Sequence, residues 1–407
     1  MTPVTPVAPP LVALAPPPAA MDPGAPPAPA VRRVAARTGL LLGALAAPAA
    51  MGVSGPSLAL PEAARALAVA PGAAAWLMTA FGLGMAVGTP LLSATAGRRR
   101  GPAGVIRAAA VLVALGALLV LLAPDLSLAV AGRAVEAAGA AGLSVAAFQL
   151  AGRDRSGRIP GLVAIGNAAG GTAGLFVGAA AAGALGWRAA LVLPLLGLLS
   201  LRPVLRLADA ETRRADDGAS RGTPGLPRTP GLPRAPRLPR TLGLPLDVLR
   251  DRRFLGAAAL MLTLSTVNFA LLYAAPRRVA ALTGWSPVET GAVASVAALA
   301  GALLSWRLVR AAPSLDPARL RAVLTLGSGA ALVLAVTGPW AAAVLLGSGT
   351  SALVTAGGQG LLSGAAAEGL PAARRGVAIG LFNLAFLTGV AAGPALAAFA
   401  DQTVQFI

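Results

Sequence analysis

Long apolar stretches separated by short polar loops fill the chain between residues 39 and 400. A backbone inside a bilayer must satisfy its own hydrogen bonds, and about 20 apolar residues are enough for one spanning helix. Several stretches of this length carry one ionisable side chain or none. The pattern therefore predicts an all-α polytopic membrane protein with eleven transmembrane helices, at residues 39–61, 73–96, 104–123, 127–150, 161–183, 187–206, 254–275, 288–309, 320–338, 339–363 and 376–400.

Two polar segments divide this pattern into domains. Residues 1–38 are rich in proline and alanine, and prolines interrupt every apolar run, so we expect a disordered tail and not a signal peptide. Residues 207–253 form a second such segment, in which Thr223-Pro-Gly-Leu-Pro-Arg228 is followed at once by a second copy. Repeats of this composition make semi-extended linkers. We therefore predict a six-helix bundle at 39–206, a linker at 207–253 and a five-span bundle at 254–407.

The basic residues follow the same pattern, because they lie mainly in the loops. All 33 are arginines; with a cytoplasmic N-terminus, 28 lie on the cytoplasmic side, four lie outside and Arg133 lies within a span. Cytoplasmic loops carry the excess of arginine, so this count predicts a cytoplasmic N-terminus in the cell membrane. The same placement argues against a nucleic-acid partner, despite the net charge of +18.

Composition then excludes several kinds of chemistry. The chain has no cysteine, no histidine and no lysine, and charged residues make up 12% of it. A phosphate-binding loop of the Walker type lacks its lysine, and catalytic triads and zinc sites lack their usual residues. We expect no enzymatic activity, no metal and no cofactor. The lipid bilayer and a small-molecule substrate are the expected partners, and no feature sets an oligomeric state.

A short similarity links the two halves. Val163-Ala-Ile-Gly166 opens the fifth predicted span and Val377-Ala-Ile-Gly380 opens the eleventh, six spans later. Duplication of a six-helix unit would explain this spacing, and transporters built from such repeats bind their substrate between the halves. Chance similarity between helices rich in alanine and glycine is the alternative.

Arg133 and Glu136 are the charged pair that the fourth predicted span carries at membrane depth. Residues three apart lie on one face of a helix, so the two side chains can pair. A charge inside a membrane costs about 2.5–3.5 kcal/mol on insertion scales and is usually functional. Burial opposes the charge on Glu136 while Arg133 favours it, which suits the carboxyl group to load and release a proton. A permanent, structural ion pair is the alternative.

Glycines recur every four residues in the fifth predicted span, at Gly170, Gly174 and Gly178, and a Gly-Trp-Arg triplet at 186–188 follows. Glycines at this spacing line one helix face and let a neighbouring backbone approach closely. The stripe predicts tight helix packing whatever else it does.

With these motifs the chain resembles the major facilitator superfamily, and within it the drug/proton antiporters, over about residues 39–400. Glu136 stands where the family has glutamine, and Leu175 where the antiporter motif has proline. Ala59-Leu60-Pro61 and Trp76 are similar to the junction of the first two helices, although Gly52 stands where many members have aspartate. The resemblance implies a two-bundle fold with twelve helices, of which the last is missing here.

A loop motif between the second and third spans adds to the resemblance. Gly97, Arg98, Arg99 and Arg100 match the family pattern, while Pro90 and Ala94 replace its first glycine and its aspartate. In the family this loop gates the movement of the two halves. Topological anchoring by the arginines is the alternative.

The resemblance implies proton-coupled export of a drug-like or secondary-metabolite molecule by alternating access, with the proton gradient as the energy source. Uptake or uniport without proton coupling, and a truncated membrane protein that transports nothing, remain alternatives. Six polar residues that interrupt apolar spans are candidates for the substrate cavity, or for hydrogen bonds between helices: Thr79, Gln149, Asn167, Asn268, Gln359 and Asn383.

Overall fold

The structure, a computed structural model, describes residues 29–96, 101–151, 158–221, 246–368, 370 and 372–405. Within these ranges the chain consists of helices and short connections. The α-helices are α1 (Pro29–Ser54), α2 (Leu60–Ala66), α3 (Pro71–Ala74), α4 (Trp76–Ala96), α5 (Gly101–Leu122), α6 (Leu126–Ala151), α7 (Arg158–Leu185), α8 (Trp187–Leu191), α9 (Leu201–Arg221), α10 (Leu246–Arg250), α11 (Arg252–Thr283), α12 (Pro287–Ala311), α13 (Pro317–Thr337), α14 (Ala341–Ala367) and α15 (Ala372–Gln405). Short 3₁₀ helices cover Gly55–Leu58, Leu193–Ser200 and Ala312–Ser314.

Ten helices in the described ranges are long and apolar enough to cross a membrane. They correspond to ten of the eleven predicted spans, which confirms an all-α polytopic membrane protein. The sixth predicted span, 187–206, is wrong as a continuous helix, because it divides into α8, an eight-residue 3₁₀ helix and the start of α9. Pro194 has no N–H to donate, and the N–H of Leu195 turns to the carbonyl oxygen of Val192 at 3.0 Å.

This broken segment nevertheless runs the length of the N-terminal bundle. At its start, Arg188 donates to the carbonyl oxygen of Ala123, just beyond the end of α5, at 2.8 Å. Further along, Arg107 near the start of α5 pairs with Asp209 of α9 at 3.2 Å. The segment is therefore antiparallel to α5 and makes the sixth crossing of this half.

The predicted tail and linker are shorter than expected where the structure describes them. Residues 1–28 and 222–245 lie outside the described residues. Helix α1 begins at Pro29, ten residues before the predicted span, and α9 continues to Arg221, well into the predicted linker. The apolar pattern locates the part of a helix that crosses a membrane, and it misses polar turns that extend beyond it.

The two halves repeat the same helix pairings. In the N-terminal half α1 packs along α7, α5 along α6 and α4 along α6. In the C-terminal half α11 packs along α15, α13 along α14 and α12 along α14, which are the same pairs six crossings later. The arrangement therefore has the internal repeat that a duplicated six-helix unit would give.

The similar tetrapeptides lie at corresponding places in α7 and α15, but their surroundings differ. Val163 is fully buried, whereas Val377 is 41% exposed. Gly166 lies against Gly43 of α1, while a Cβ at Gly380 would meet nothing within 4 Å. The repeat is thus a property of the helix pairing and not of this short sequence match.

Two helix pairs, α4 with α15 and α7 with α12, make most of the contact between the halves. We call the end of the bundle where α1 begins and α9 finishes the linker end, and the other the opposite end. Gly82 lies against Ala391, and the N–H of Phe176 donates to Oγ of Ser295 at 3.1 Å. These contacts lie between the middle of the helices and the opposite end, where Tyr273 of the C-terminal half is buried against the N-terminal half. The halves therefore close against each other at the opposite end.

Candidate functional site

Arg133 and Glu136 form an ion pair inside the N-terminal half. Nη1 of Arg133 lies 2.7 Å from Oε2 of Glu136, and both side chains have no exposed surface. Both residues belong to α6, where the separation of three places them on one face. Gly116 of α5 makes room for them, since a Cβ there would meet the backbone of Glu136.

The guanidinium of Arg133 also binds backbone carbonyls of three other helices. Nη2 donates to the carbonyl oxygen of Gly52 at 2.7 Å, Nη1 to that of Leu191 at 2.5 Å, and Nε to that of Leu77 at 3.4 Å. One side chain therefore connects α6 to α1, α4 and α8.

Proline explains why two of these carbonyls are available. In a helix, the carbonyl of Gly52 would accept from the N–H four residues on, which is the position of Pro56. For Leu191 the same partner would be the N–H of Leu195, which donates to Val192 instead. A buried carbonyl without a donor costs about 1–3 kcal/mol. Arg133 thus supplies the donors at two points where the helices break.

On the arginine side the ion pair is covered by an aromatic ring, and on the glutamate side one carboxylate oxygen is left without a hydrogen-bond partner in the described part of the chain. The Cζ atom of Arg133 lies 4.0 Å from the centre of the Phe81 ring, a cation–π contact. Oε1 of Glu136 is buried and has no hydrogen-bond partner among the described residues. A buried carboxylate with one free oxygen is poorly compensated, and protonation would remove its charge.

The glycine stripe of α7 packs against α1, the helix with which α7 makes its most extensive contact. A Cβ at Gly170 would overlap the carbonyl of Ala47, one at Gly174 would overlap Ser54 Oγ, and one at Gly178 would overlap the carbonyl of Gly55. The missing side chains allow the two backbones to touch along most of their length. The stripe therefore fixes the position of α7, which also carries part of the contact with the C-terminal half.

We expect Gly170→Ala to lower the melting temperature of the purified protein clearly more than Gly171→Ala. The added methyl group at 170 overlaps backbone that has no room to move, whereas at 171 its nearest neighbour is 3.7 Å away. Overpacking of this kind costs about 1–3 kcal/mol. Thermal unfolding of both variants in the same detergent measures the difference, and equal melting temperatures would contradict this account of the stripe.

The C-terminal half has an equivalent pair that the sequence reasoning missed. On α15, a Cβ at Gly389 would overlap Oγ of Ser265, and one at Gly393 would lie 2.6 Å from the amide nitrogen of Ala270. Both face α11, as the α7 stripe faces α1. The spacing of four residues between these two glycines of the eleventh predicted span is the sequence signal that predicts this contact.

The Gly-Trp-Arg triplet forms the turn after α7. Gly186 has φ +86°, a left-handed conformation that favours glycine. Trp187 is buried, and Cζ of Arg188 lies 4.4 Å from the centre of its ring. The triplet thus anchors the start of the sixth crossing at the opposite end.

The six candidate cavity residues fall into two groups. Thr79 is buried in α4 near the opposite end, where the halves are closed. The other five are exposed or half-buried and lie between the middle of their helices and the linker end: Gln149, Asn167, Asn268, Gln359 and Asn383. Gly97, Arg98, Arg99 and Arg100 of the loop motif lie outside the described residues.

Two bundles that repeat one pairing pattern and meet along two helix pairs define the class of membrane transporters built from repeated helical bundles. The family model of the Major Facilitator Superfamily matches residues 40–394, so the chain belongs to that superfamily. None of the curated protein sequences matches the chain significantly.

Solved structures agree on the fold. The chain is similar to a bacterial homologue of the human lysosomal transporter Spinster in an inward-facing, unoccupied conformation, with 16% identity, a TM-score of 0.64 and coverage of 93% of this chain and 84% of that one. It is also similar to a POT family transporter in complex with a thioalcohol-conjugated peptide, with 11% identity, a TM-score of 0.61 and coverage of 91% of both chains. At these identities the likeness shows the fold alone. The chain is a transporter and not an enzyme.

Proposed function

We propose that the chain is a proton-coupled exporter of a small drug-like or secondary-metabolite molecule. The observation that carries the proposal is the Arg133–Glu136 pair, which is fully buried and leaves Oε1 of Glu136 without a partner in the described part of the chain. Ionisable residues at membrane depth are costly, and proton relays are one of the functions that retain them.

Protonation of Glu136 would act on the helices through Arg133. Once the carboxyl group is neutral, the ion pair is lost and the guanidinium is held by the carbonyls of Gly52, Leu77 and Leu191. These carbonyls lie at the end of α1 and at the junction of α8 with the 3₁₀ helix. A change in proton occupancy would therefore bias the two helix breaks that surround the pair, and these breaks border the closed opposite end.

The arrangement of the halves supports alternating access with the central cleft open at the linker end. The contacts that join the halves lie toward the opposite end, and a Cβ at Gly360, Gly364 or Gly380 near the linker end would meet nothing within 4 Å. With the N-terminus in the cytoplasm, as the arginine distribution predicts, this is the inward-open state. Such a state in the cell membrane would load a substrate from the cytoplasm.

Five uncharged polar residues would contact the substrate in that cleft: Gln149, Asn167, Asn268, Gln359 and Asn383. Amide side chains offer both donors and acceptors without a fixed charge, which suits an uncharged molecule or one of low charge. Phe269 and Phe386, whose rings lie 5.8 Å apart edge to face, would form the apolar base of this cleft beside Asn268. A mostly apolar pocket with a few polar groups is the usual form of a small-molecule site.

A carrier without proton coupling is the alternative, and one observation favours it. Every partner of the Arg133 side chain lies within the N-terminal half, on α1, α4, α6 and α8, and the pair is closed to solvent. A buried pair whose partners all lie in one half can hold these helices together without taking part in proton transfer. Measuring solute accumulation with and without a protonophore distinguishes the two functions.

We expect expression of the chain to lower the accumulation of at least one solute in a host that lacks its main exporters. The panel consists of fluorescent dyes and antibiotics, measured with and without a protonophore. Both the protonophore and Glu136→Gln should abolish the effect, because the first collapses the proton gradient and the second removes the group that exchanges the proton. Glu368→Gln, which changes an exposed carboxylate after α14, should have no effect.

Three results would contradict parts of the proposal. Efflux that persists with the protonophore would favour the carrier without coupling. Protonophore-sensitive efflux that survives Glu136→Gln would remove Glu136 from the coupling. Unchanged accumulation of every solute, with the protein confirmed in the membrane, would contradict export of those solutes.

A further inference from the structure

A cavity of about 140 Å³ lies between α4 and α15 at the closed opposite end. It is separate from the proposed substrate cleft, since Thr79 is the one candidate cavity residue that lines it. Its walls come from both halves: Gly72, Ala75, Trp76 and Thr79 from one side, and Ala395, Ala398 and Phe399 from the other.

The side chains of the lining are apolar except for the hydroxyl of Thr79 and the indole N–H of Trp76. Thr79 is 5% exposed, and its hydroxyl has no hydrogen-bond partner among the described residues. In helices a threonine usually bonds the carbonyl three or four residues earlier, as Thr89 does with Met85 at 2.8 Å. A buried hydroxyl without a partner is unfavourable, so a ligand that bonds it would supply the missing hydrogen bond.

Two aromatic rings stand at the mouth of the cavity. Trp76 is 53% exposed and Phe399 is 69% exposed, and both lie near helix ends at the opposite end of the bundle. Large aromatic residues at this level normally meet the interface between lipid and water. A ligand would therefore enter from the layer in which small aromatic alcohols accumulate.

We propose that this cavity binds a small uncharged aromatic molecule with one hydroxyl group, of the size of a phenol. The volume is close to that of an enclosed apolar cavity that holds benzene, about 150 Å³, and this cavity is partly open at its mouth, which leaves room for a hydroxyl group. The ring would lie between Trp76 and Phe399, and the hydroxyl would bond Oγ1 of Thr79. An aromatic hydroxyl is chosen over an aliphatic one because both large side chains at the mouth are aromatic.

Binding at this place would hold the transporter in one state. The cavity has walls from α4 and α15, which must separate when the opposite end opens, so the occupied form is the closed form. A ligand bound there, outside the substrate cleft, would slow transport. The size of the effect is set by how much more tightly the ligand binds the closed state than the open one. This second step rests on the proposed function, whereas binding itself does not.

The test is a fluorine NMR titration of the full-length protein in phosphatidylcholine nanodiscs with 4-fluorophenol and, separately, 4-fluorotoluene. We expect saturable binding of 4-fluorophenol. Thr79→Val, which replaces the hydroxyl by a methyl group of similar size, should raise its dissociation constant about three- to tenfold. The same variant should leave 4-fluorotoluene unchanged.

Two further variants keep the test decisive. Ala395→Leu, which fills the cavity, should abolish saturable binding of both probes. Thr337→Val removes an exposed hydroxyl that already bonds the carbonyl of Val333, and it should change neither dissociation constant. Equal affinity of both probes and no effect of Thr79→Val would overturn the hydroxyl site, leaving a crevice that any apolar group fills. Absence of saturable binding to the folded wild type would overturn the cavity as a site.

Discussion

Arg133→Ala is expected to be the most destabilising single substitution in the N-terminal half, by about 3–5 kcal/mol. It leaves Glu136 as a buried carboxylate without a partner, and it removes the donors from the carbonyls of Gly52 and Leu191. Reversible unfolding in mixed micelles of detergent and SDS measures the loss of free energy. Arg107→Ala is the matched control, because its pair with Asp209 is 59% and 40% exposed and such pairs contribute about 1 kcal/mol or less.

A double variant separates the two causes. Arg133→Met combined with Glu136→Leu removes both charges and keeps much of the volume, so the cost of the unpaired carboxylate disappears. The carbonyls of Gly52 and Leu191 still lack donors. We therefore expect the double variant to be more stable than Arg133→Ala and less stable than the wild type. If the double variant loses no more unfolding free energy than Arg107→Ala does, the structural role of the guanidinium is contradicted.

Gly82→Leu is expected to open the opposite end and close the linker end. A Cβ at Gly82 would lie 2.6 Å from Cα of Ala391, so the new side chain forces α4 and α15 apart where the halves meet. Overpacking costs about 1–3 kcal/mol, which changes the population ratio of the two states by about fivefold to over a hundredfold. Gly329→Leu on α13 is the control, because a Cβ there meets nothing within 4 Å and α13 packs on α14 and α11 of its own half.

Cysteine labelling measures this shift, since the chain has no cysteine of its own. Ala179→Cys reports on the closed end, where the residue is 1% exposed and its side chain contacts Gly291 of α12. Ile379→Cys, 48% exposed on α15, reports on the linker end. In the Gly82→Leu background, a water-soluble maleimide should label position 179 faster and position 379 more slowly. Unchanged rates at both positions would mean that contact between α4 and α15 does not set the state.

The sequence predicted the fold well because crossing a membrane imposes a strong length and polarity rule on each helix. Ten predicted spans correspond to ten apolar helices. The sixth failed because hydropathy does not report hydrogen bonding: residues 187–206 are apolar enough, but Pro194 redirects the backbone into a 3₁₀ helix. The ends of α1 and α9 were missed for the opposite reason, since their polar turns lie beyond the apolar pattern.

The candidate site was predicted in part. A spacing of three fixed the Arg133–Glu136 contact, because local helix geometry determines it. The partners at Gly52 and Leu191 lie 81 and 58 residues away, and a single sequence contains no signal that brings those carbonyls to α6. The prolines at 56 and 194 indicate that the carbonyls are free, but not which donor binds them. The cavity at Thr79 depends in the same way on how α4 and α15 meet.

Coupling of solute movement to protons is tested most directly with purified protein in liposomes that contain a pH-sensitive dye. The solute is the panel member whose accumulation the wild type lowers in cells. We expect an imposed proton gradient to drive that solute against its concentration gradient, and an imposed solute gradient to move protons. Glu136→Gln should let the solute equilibrate without proton movement. Wild-type protein that moves the solute down its gradient alone, with no change in internal pH, would contradict the account.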